Sequence, residues 1–378
     1  MVTNGPIPQH KRAHRIGGWL PRDRAIICDS VSRIVKHSNQ AQLDLVLVVQ
    51  DLATLVYGNL IVYMLFAETL TEVPHFPPYN EDPSLQPEIR DVPTLLKHDQ
   101  FPDPESDKSP ASIQTVTTAE GGWLSAAAQS DPNSPGLKDF LKTYVVLGSN
   151  DIHYGFTNLD QFLTRKFLPD ARPTADPQDS HVIVSAAEST PFYIQTNDQH
   201  YSLSHLIGDS GMAAKFVGGT VYQAFLGADS YHTWHAPVSG KCLKQPTIIP
   251  GTYYPDKPGP APDAAADARS QGYISCVAKR GVALIQPDDP TLGLIALVMI
   301  GMAGVSSIEF DNLDHFDKGT EIGRFHFGGS THCLVFKPGV TFEPEPNAIP
   351  VDPTHTNIDQ PPVNVCSKLG TLSPVEKH

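Results

Sequence analysis

The chain has 378 residues, of which 40% are hydrophobic and 18% charged, and its formal net charge is −14. These values are typical of a globular protein with a substantial core. The acidic charge argues against a nucleic-acid partner, which needs clustered Lys and Arg, and against docking on an anionic membrane. The five cysteines are scattered and form no CxxC pair. This pattern argues against a disulfide framework or a zinc ribbon and favours a reducing, cytosolic location.

The first 135 residues are predicted to form a helical N-terminal region. Apolar residues recur at helical spacing over 17–70, and no apolar leader precedes them. The most apolar run, 52–70, is interrupted by Asn59 and Glu68, so we expect a buried helix there and not a membrane span. Residues 71–135 are rich in Pro, Asp and Ser and are predicted to be a linker, with one short helix near 93–101.

Residues 136–345 are predicted to form a mainly β domain. A helix capped by Thr157 or Asn158 and ended by Pro169 opens it. Apolar runs separated by Gly, Pro and Asp follow, and we expect strands in each. These runs are HVIVSAA, PFYIQTN, GTVYQAFL, SYHTWHAPVSGKCLKQ, YISCVAKRGVALIQ, LGLIALVMIGMAGVSSIEF and RFHFGGSTHCLVF. Residues 346–378 are Pro-rich and predicted to be an irregular tail. The predicted fold class is α+β: a helical N-terminal region followed by a mainly β catalytic domain.

Three segments contain candidate catalytic residues. YHTWHAP holds His232 and His235, SAAEST holds Glu188 at a strand end, and FHFGGST holds Ser330 after two glycines. Taken singly, each has an ordinary explanation: a packed histidine, a turn carboxylate or a tight turn. Together, Ser, His and a carboxylate can form a hydrolytic triad. The chain has no GxSxG elbow, however, which argues against a conventional serine hydrolase.

A metal site is the other interpretation of the histidines. It would need several of them to converge, but their spacing matches no closed zinc pattern. The histidines concerned are His232, His235, His326 and His332. We therefore expect no metal.

Five segments, in the same order, resemble those of the pyruvoyl-dependent phosphatidylserine decarboxylase family. YGFTNLDQFLTRKFLPDARP is similar to the helix and loop that open its catalytic region, and YHTWHAPVSGKC to its Tyr-His-Arg-x-His-x-Pro segment. VSAAEST lies where the family usually has a Ser-Pro-Ala-Asp-Gly-like turn. GLIALVMIGMAGVSSIE and KGTEIGRFHFGGST resemble its hydrophobic strand and its self-cleavage segment. The resemblance covers about residues 137–340, and it is strongest to a branch that includes fungal L-tryptophan decarboxylase.

The resemblance implies that this chain cuts itself. Ser330 would attack the carbonyl carbon of Gly329, and β-elimination and hydrolysis would leave a pyruvoyl group at position 330. The products would be a β chain, 1–329, and an α chain, 330–378. The resemblance also implies that His235 deprotonates Ser330 and that Glu188 orients His235. The family usually has Asp where Glu188 stands, and Leu-Gly-Ser-Thr where this chain has Gly-Gly-Ser-Thr.

The implied cofactor is the pyruvoyl group itself, with neither metal nor pyridoxal phosphate. Its ketone would form a Schiff base with a substrate amine and accept the electrons released as CO₂ leaves. The resemblance gives His232 the protonation of the carbanion or the positioning of the carboxylate. Trp234, Phe325 and Phe327 are candidate contacts for an aromatic substrate, although core packing explains them equally well.

Two substrates fit this carboxy-lyase. One is a free amino acid, with L-tryptophan as the first candidate, and the other is phosphatidylserine. A lipid enzyme needs a basic docking surface, and the only basic cluster is HKRAHR at 10–15, so the amino acid is favoured. Two rivals predict an uncut chain. One is a hydrolase that uses Ser330, His235 and Glu188, and the other is an inactive relative in which GGS is only a turn.

Overall fold

The computed structural model describes residues 47–59, 110–130, 135–197, 202–227, 229–251, 271–302, 308–311, 313–326, 330–351 and 360–375. The helices are α1 (Leu47–Gly58), α2 (Ala126–Gln129), α3 (Phe140–Thr143), α4 (Leu159–Leu163), α5 (Leu203–Ile207), α6 (Ser210–Ala213) and α7 (Gln271–Val277). Short 3₁₀ helices lie at Pro110–Thr115, Pro135–Leu137, Ala214–Phe216, Pro290–Leu292 and Pro346–Ala348. No described helix is long and apolar enough to cross a membrane.

Within the described residues, thirteen strands form three antiparallel sheets. They are β1 (Val182–Val184), β2 (Thr190–Thr196), β3 (Thr220–Leu226), β4 (Thr233–His235), β5 (Gly240–Cys242), β6 (Thr247–Ile249), β7 (Arg280–Pro287), β8 (Ile295–Gly301), β9 (Ile308–Phe310), β10 (Glu321–Phe325), β11 (Ser330–Phe336), β12 (Val340–Pro344) and β13 (Lys368–Pro374). The large sheet has the order β2-β3-β11-β8-β7-β5, with β6 also paired to β7, and the small sheets are β1-β13-β12 and β4-β10-β9. The predicted α+β class is confirmed.

Strand β11 lies in the interior of the large sheet, between β3 and β8. All seven of its residues are buried, because both faces of the sheet are covered. Leu334 and Phe336 belong to one hydrophobic core, whereas Cys333 and Val335 belong to a second core on the opposite face. Alternation along the strand therefore places Ser330 on the first face and Thr331 on the second.

The helix that opens the β domain is shorter than predicted. Helix α4 begins after Asn158, whose side-chain oxygen accepts a hydrogen bond from the Gln161 N–H, so Asn158 is the cap. It ends at Leu163, well before Pro169. In the N-terminal region, α1 confirms the helical prediction over its own residues. The rest of the predicted helical region, and the short helix near 93–101, lie outside the described residues.

Part of the predicted linker belongs to the folded domain. Val116, Leu124 and Ala128 pack into a third hydrophobic core, together with the aromatic side chains around α3 and α4. The composition of 110–130 did not predict this packing, because its few apolar residues are spread among Ser, Thr and Gly. The linker prediction is therefore wrong for 110–130.

Two further predictions are corrected. The tail is not irregular throughout, since β13 pairs with both β1 and β12 and completes a sheet. Its partners are distant in sequence, so its local composition did not reveal it. The run YISCV is helical in α7, where Gln271, Ile274 and Ser275 share the buried face at helical spacing. Its β-branched and aromatic residues had suggested a strand.

Candidate active site

Ser330 begins β11 and is held by backbone pairing on both sides. It pairs with Leu226 of β3 and with Gly301 of β8, and its side chain is fully buried. No group within the described part of the chain hydrogen bonds to its Oγ. A buried hydroxyl without a partner costs about 1–3 kcal/mol. Such an unbonded group is expected where a serine is needed for a reaction and not for packing. Ser330 therefore fits the precursor of a covalent group.

Two short connections join the large sheet to the β4-β10-β9 sheet, and backbone hydrogen bonds pair their ends. One leaves β3 after Leu226 and reaches His232, and the other leaves β10 after Phe325 and reaches Ser330. At one end Ser330 pairs with Leu226. At the other end the Phe325 N–H donates to the His232 carbonyl at 3.0 Å. Because each connection is only a few residues long, His232 and Ser330 are held in the same part of the molecule.

His232 is fully buried and neutral. Its Nδ1 lies 2.8 Å from the Ser230 carbonyl. Since a carbonyl oxygen only accepts, we assign the ring proton to Nδ1 and the basic lone pair to Nε2. Burial lowers the pKa of His232 to about 4. The bond to Ser230 opposes this shift and the Arg165 charge adds to it. His232 therefore presents one basic nitrogen over the whole physiological pH range.

His235 ends β4, about 10 Å along the chain from His232 at the usual rise of a strand. Its Nδ1 lies 2.7 Å from the Gly319 carbonyl and 3.3 Å from the Cys366 sulfur. The Tyr231 hydroxyl lies 3.0 Å from Nε2 and, with the proton on Nδ1, donates to it. Burial lowers the pKa of His235, and the bond to Gly319 partly offsets this. The basic atom of His235 is thus Nε2, held by Tyr231.

Glu188 is buried beside this histidine and is bound by another residue. Arg172 donates to both carboxylate oxygens, at 2.5 and 3.1 Å, and the Val365 N–H donates at 2.9 Å. The Arg172 guanidinium also lies over the Phe167 ring. The Glu188 charge favours the protonated form of His235, but the described hydrogen bonds of its carboxylate go to Arg172 and Val365. The role of Glu188 in orienting His235 stays a prediction.

Sequence reasoning missed three partners of these groups: Arg172, Tyr231 and Cys366. Arg172 and Tyr231 were inside the matching segments LPDARP and YHTWHAP, so motif position was the available signal. Cys366 lay in the predicted tail and gave none. Burial raises its pKa to about 11, so it is a protonated thiol beside His235.

The aromatic candidates lie inside the main core. Trp234 and Phe325 are fully buried, with ring centroids 4.7 Å apart in an edge-to-face arrangement. Trp234 makes a similar contact with Phe310. Their contact with substrate stays a prediction. Phe327 and the cleavage-site residue Gly329 lie outside the described residues.

His326 is paired with carboxylates on both sides. Its Nδ1 lies 2.7 Å from Asp160 of α4, and its Nε2 lies 2.7 Å from Glu309 of β9. These bonds anchor the last described residue before Ser330. No set of three or more His, Cys, Asp or Glu side chains among the described residues is arranged to hold a metal.

His332 and Tyr222 form a further polar group beside Ser330. Both are fully buried, and within the described structure neither ring nitrogen of His332 nor the Tyr222 hydroxyl has a hydrogen-bond partner. Their ring centroids are 6.4 Å apart. Burial lowers the pKa of His332 to about 4. The Ala224 carbonyl lies near enough to the ring to oppose this shift, but not in hydrogen-bond geometry. The sequence singled out His332 only as a candidate metal ligand and did not single out Tyr222.

The profile of the family described as phosphatidylserine decarboxylase matches residues 159–351. A protein named decarboxylase iboD, from Amanita muscaria, is 36% identical over 60% of this chain and 71% of its own length. L-Tryptophan decarboxylase from Psilocybe cyanescens is 33% identical over 56% of this chain. This match spans 54%, about half, of that relative. Phosphatidylserine decarboxylase proenzyme 3 from Schizosaccharomyces pombe is 29% identical over 54% of this chain and 22% of its own length.

Proposed function

Because this chain belongs to the phosphatidylserine decarboxylase family and is thus a carboxy-lyase, we propose that it is a self-processing, pyruvoyl-dependent amino acid decarboxylase. The observation that carries the proposal is the Ser330 hydroxyl. It is fully buried, lacks a hydrogen-bond partner in the described structure, and begins a strand at the crossing between two sheets. A turn serine would face water, and a structural serine would be bonded.

Maturation converts Ser330 into the cofactor. The Ser330 hydroxyl attacks the Gly329 carbonyl carbon, and the C–N bond between the two residues gives way to an ester. Loss of the Ser330 α-proton then expels the Gly329 carboxylate. One water is consumed and one ammonia released, which leaves the pyruvoyl group at position 330. His235 takes the hydroxyl proton on Nε2, which the Gly319 bond leaves basic and from which the Tyr231 hydroxyl must first withdraw. Glu188, fixed by Arg172, supplies the negative charge that favours protonated His235.

The bound pyruvoyl group supplies an electron-accepting ketone for the amine and the leaving carboxylate of the substrate. The residues of the chain supply the surroundings. His232 is neutral and buried, with Nε2 as its basic atom. This nitrogen takes up a proton before CO₂ leaves and then gives it to the substrate α-carbon. The cores on both faces of β11 exclude water from position 330.

We propose a free aromatic amino acid as substrate, with L-tryptophan as the first candidate. Relatives named L-tryptophan decarboxylase support this choice, as does the acidic net charge, which disfavours an anionic lipid surface. Phosphatidylserine is the alternative, supported by relatives named for that reaction. The cytosolic location expected from the cysteine pattern is part of the proposal.

The decisive experiment is denaturing intact-mass spectrometry of the purified chain. We expect two chains, 1–329 and 330–378, the second with a blocked pyruvoyl end. Wild-type protein that stays uncut would overturn the proposal and favour a hydrolase or an inactive relative. Release of CO₂ from tryptophan, but not from phosphatidylserine vesicles, would then assign the substrate.

Two histidine variants separate maturation from turnover. His235→Ala should stay largely uncut, because the base for Ser330 is removed. His232→Ala should be cut normally but lose decarboxylation. His315→Ala is a matched control, because its exposed ring pairs with Asp288 on the surface, away from Ser330 and His235 in the described structure. Normal cutting of His235→Ala, or full turnover by His232→Ala, would contradict the assigned roles.

A further inference from the structure

The unbonded polar groups of His332 and Tyr222 lie on the same face of the sheet as Ser330, and the proposed chemistry uses neither. We propose that these two side chains form the hydrogen-bonding end of the substrate pocket and select an amino acid whose side chain is neutral and carries an N–H or O–H group. This inference rests on the proposed function, since the amino acid would be held at position 330.

The strand geometry places the three polar groups on one face. Ser330 and His332 are two residues apart on β11, so their side chains point the same way and their Cα atoms are about 7 Å apart. On β3, Leu226 lies opposite Ser330, Ala224 opposite His332, and Tyr222 opposite Leu334. Directly opposed residues of antiparallel strands share a face, so Tyr222 also lies on the Ser330 side. Tyr222 belongs to the same core as Leu334, as this arrangement requires.

Small residues border both β11 positions. Gly301 of β8 is directly opposite Ser330, and Ala224 of β3 is directly opposite His332. Gly301 has no side chain, and that of Ala224 is a single methyl group. Leu226 and Met299 lie on the other side of the two positions, so the least bulky path along β11 towards His332 passes Gly301 and Ala224.

The chemistry of the two side chains defines the ligand. A neutral imidazole offers one N–H donor and one acceptor nitrogen, and a phenol offers one donor and two acceptor sites. None of the residues directly opposite Ser330, His332 and Leu334 on either neighbouring strand is charged. A charged substrate side chain would have no counter-charge on this face, whereas a wholly apolar one would leave His332 and Tyr222 unbonded. Indole and phenol side chains satisfy both conditions.

A packing role does not account for the arrangement. Buried polar side chains in a finished core are normally hydrogen bonded, and one left unbonded destabilises the fold. Here two lie on the face of Ser330, His332 two residue pairs and Tyr222 four residue pairs along the ladder from it. The bonds that they lack in the free protein are those that a substrate side chain would supply.

The test compares His332→Leu with the wild type on two pairs of amino acids. Tryptophan is paired with its analogue in which benzothiophene replaces indole, and tyrosine with phenylalanine. We expect the wild type to prefer the N–H or O–H member of at least one pair by about tenfold or more in kcat/KM. His332→Leu should lose that preference, mainly through KM, while still releasing 330–378. His332→Gln, which keeps one donor and one acceptor, should retain part of it.

Two readouts are independent of turnover. Reductive trapping with cyanoborohydride, followed by intact mass, gives the amino acid concentration that half-saturates the 330–378 chain. In His332→Leu this concentration should rise above the wild-type value only for the favoured member of the pair. Thermal unfolding of the free protein should show a higher Tm for His332→Leu, because an unbonded polar group has been removed. A lower Tm together with unchanged preference would show that His332 is structural and would overturn the inference.

Failure of the inference differs from failure of the proposed function. Wild-type protein that matures and releases CO₂, but shows no preference within either pair, overturns the inference alone. Wild-type protein that stays uncut overturns both. Should His332→Leu not fold, Tyr222→Phe tests the same idea by removal of one hydroxyl. Cys333→Ala, on the opposite face of β11, is the control and should leave the preference unchanged.

Discussion

The two faces of strand β11 treat buried polar groups in opposite ways. On one face, Ser330, His332 and Tyr222 have polar atoms without partners among the described residues. On the other face, Gln223 donates to Gln271, Ser275 and Thr331 at 2.9 to 3.2 Å, and Thr331 donates to the Ala224 carbonyl at 3.0 Å. Both faces are equally dry. One face is therefore complete in the free protein, whereas the other leaves polar groups for the reaction and the ligand that we propose.

The bonded face also explains how the reacting residue is held. Thr331 directly follows Ser330, and its hydroxyl ties β11 to β3 through Gln223 and Ala224. Helix α7 supplies the other two members of the network, Gln271 and Ser275. A fully bonded buried network is rigid, because each group loses a hydrogen bond if it moves. The network fixes the start of β11, whereas the Ser330 hydroxyl on the other face has no hydrogen bond to the described residues.

The largest expected contrast is between adjacent residues on the two faces. Ser330→Ala should abolish cutting completely, because no nucleophile remains at position 330, and should leave stability unchanged or slightly raised. Thr331→Val should still be cut, but should lose about 1–2 kcal/mol of stability with its two hydrogen bonds. Intact mass and chemical denaturation measure both effects. A cut Ser330→Ala protein would move the cleavage site elsewhere.

Acidification should act through the unbonded face. The pKa of His332 is 6.5 in the unfolded chain and about 4 in the folded one, so between these values the unfolded chain binds more protons. His332 therefore lowers stability as the pH falls through this window, by about 3 kcal/mol in all. The stability advantage of His332→Leu over the wild type should widen by that amount between about pH 7 and pH 4. Denaturant titrations at several pH values measure it, and a constant difference would contradict the assigned burial.

Removal of Gln223 tests the hydrogen-bonded face of β11. Gln223→Leu leaves Gln271, Ser275 and Thr331 short of one partner each, so we expect a loss of about 1–3 kcal/mol. The pH dependence described for His332 should persist in this variant, because the two groups lie on opposite faces. Denaturation at two pH values checks both statements. A gain in stability would show that the network is not needed to satisfy its members.

The smallest effect is expected at the anchor before the cleavage segment. His326→Gln keeps one donor group for Asp160 or Glu309, but its amide oxygen cannot donate to the other carboxylate. Because Glu309 is half exposed, we expect a loss of about 0.5–1 kcal/mol and slower cutting, with no change in substrate preference. The rate of appearance of 330–378 measures it. An unchanged rate would show that this anchor does not act on the cleavage segment.

Much of the β domain followed from local sequence. The strand predictions are confirmed wherever an apolar run pairs within the large sheet, as in β3, β8 and β11. The exceptions, α7 and β13, depended on what packed against them: a sheet face for the helix and two distant strands for the last strand. Propensity and periodicity describe a segment, whereas these partners come from elsewhere in the chain.

The sequence by itself determined the family, the α+β class and the serine to examine, because ordered motifs and short-range patterns are written in neighbouring residues. Only the tertiary structure decided that Arg172 binds Glu188 and that Tyr231 and Gly319 fix the tautomer of His235. It also decided that His332 and Tyr222 share a face of the sheet with Ser330. These relations depend on register and burial. A strand pairs with one partner in one register, and a polar group is satisfied or not only once its neighbours are in place.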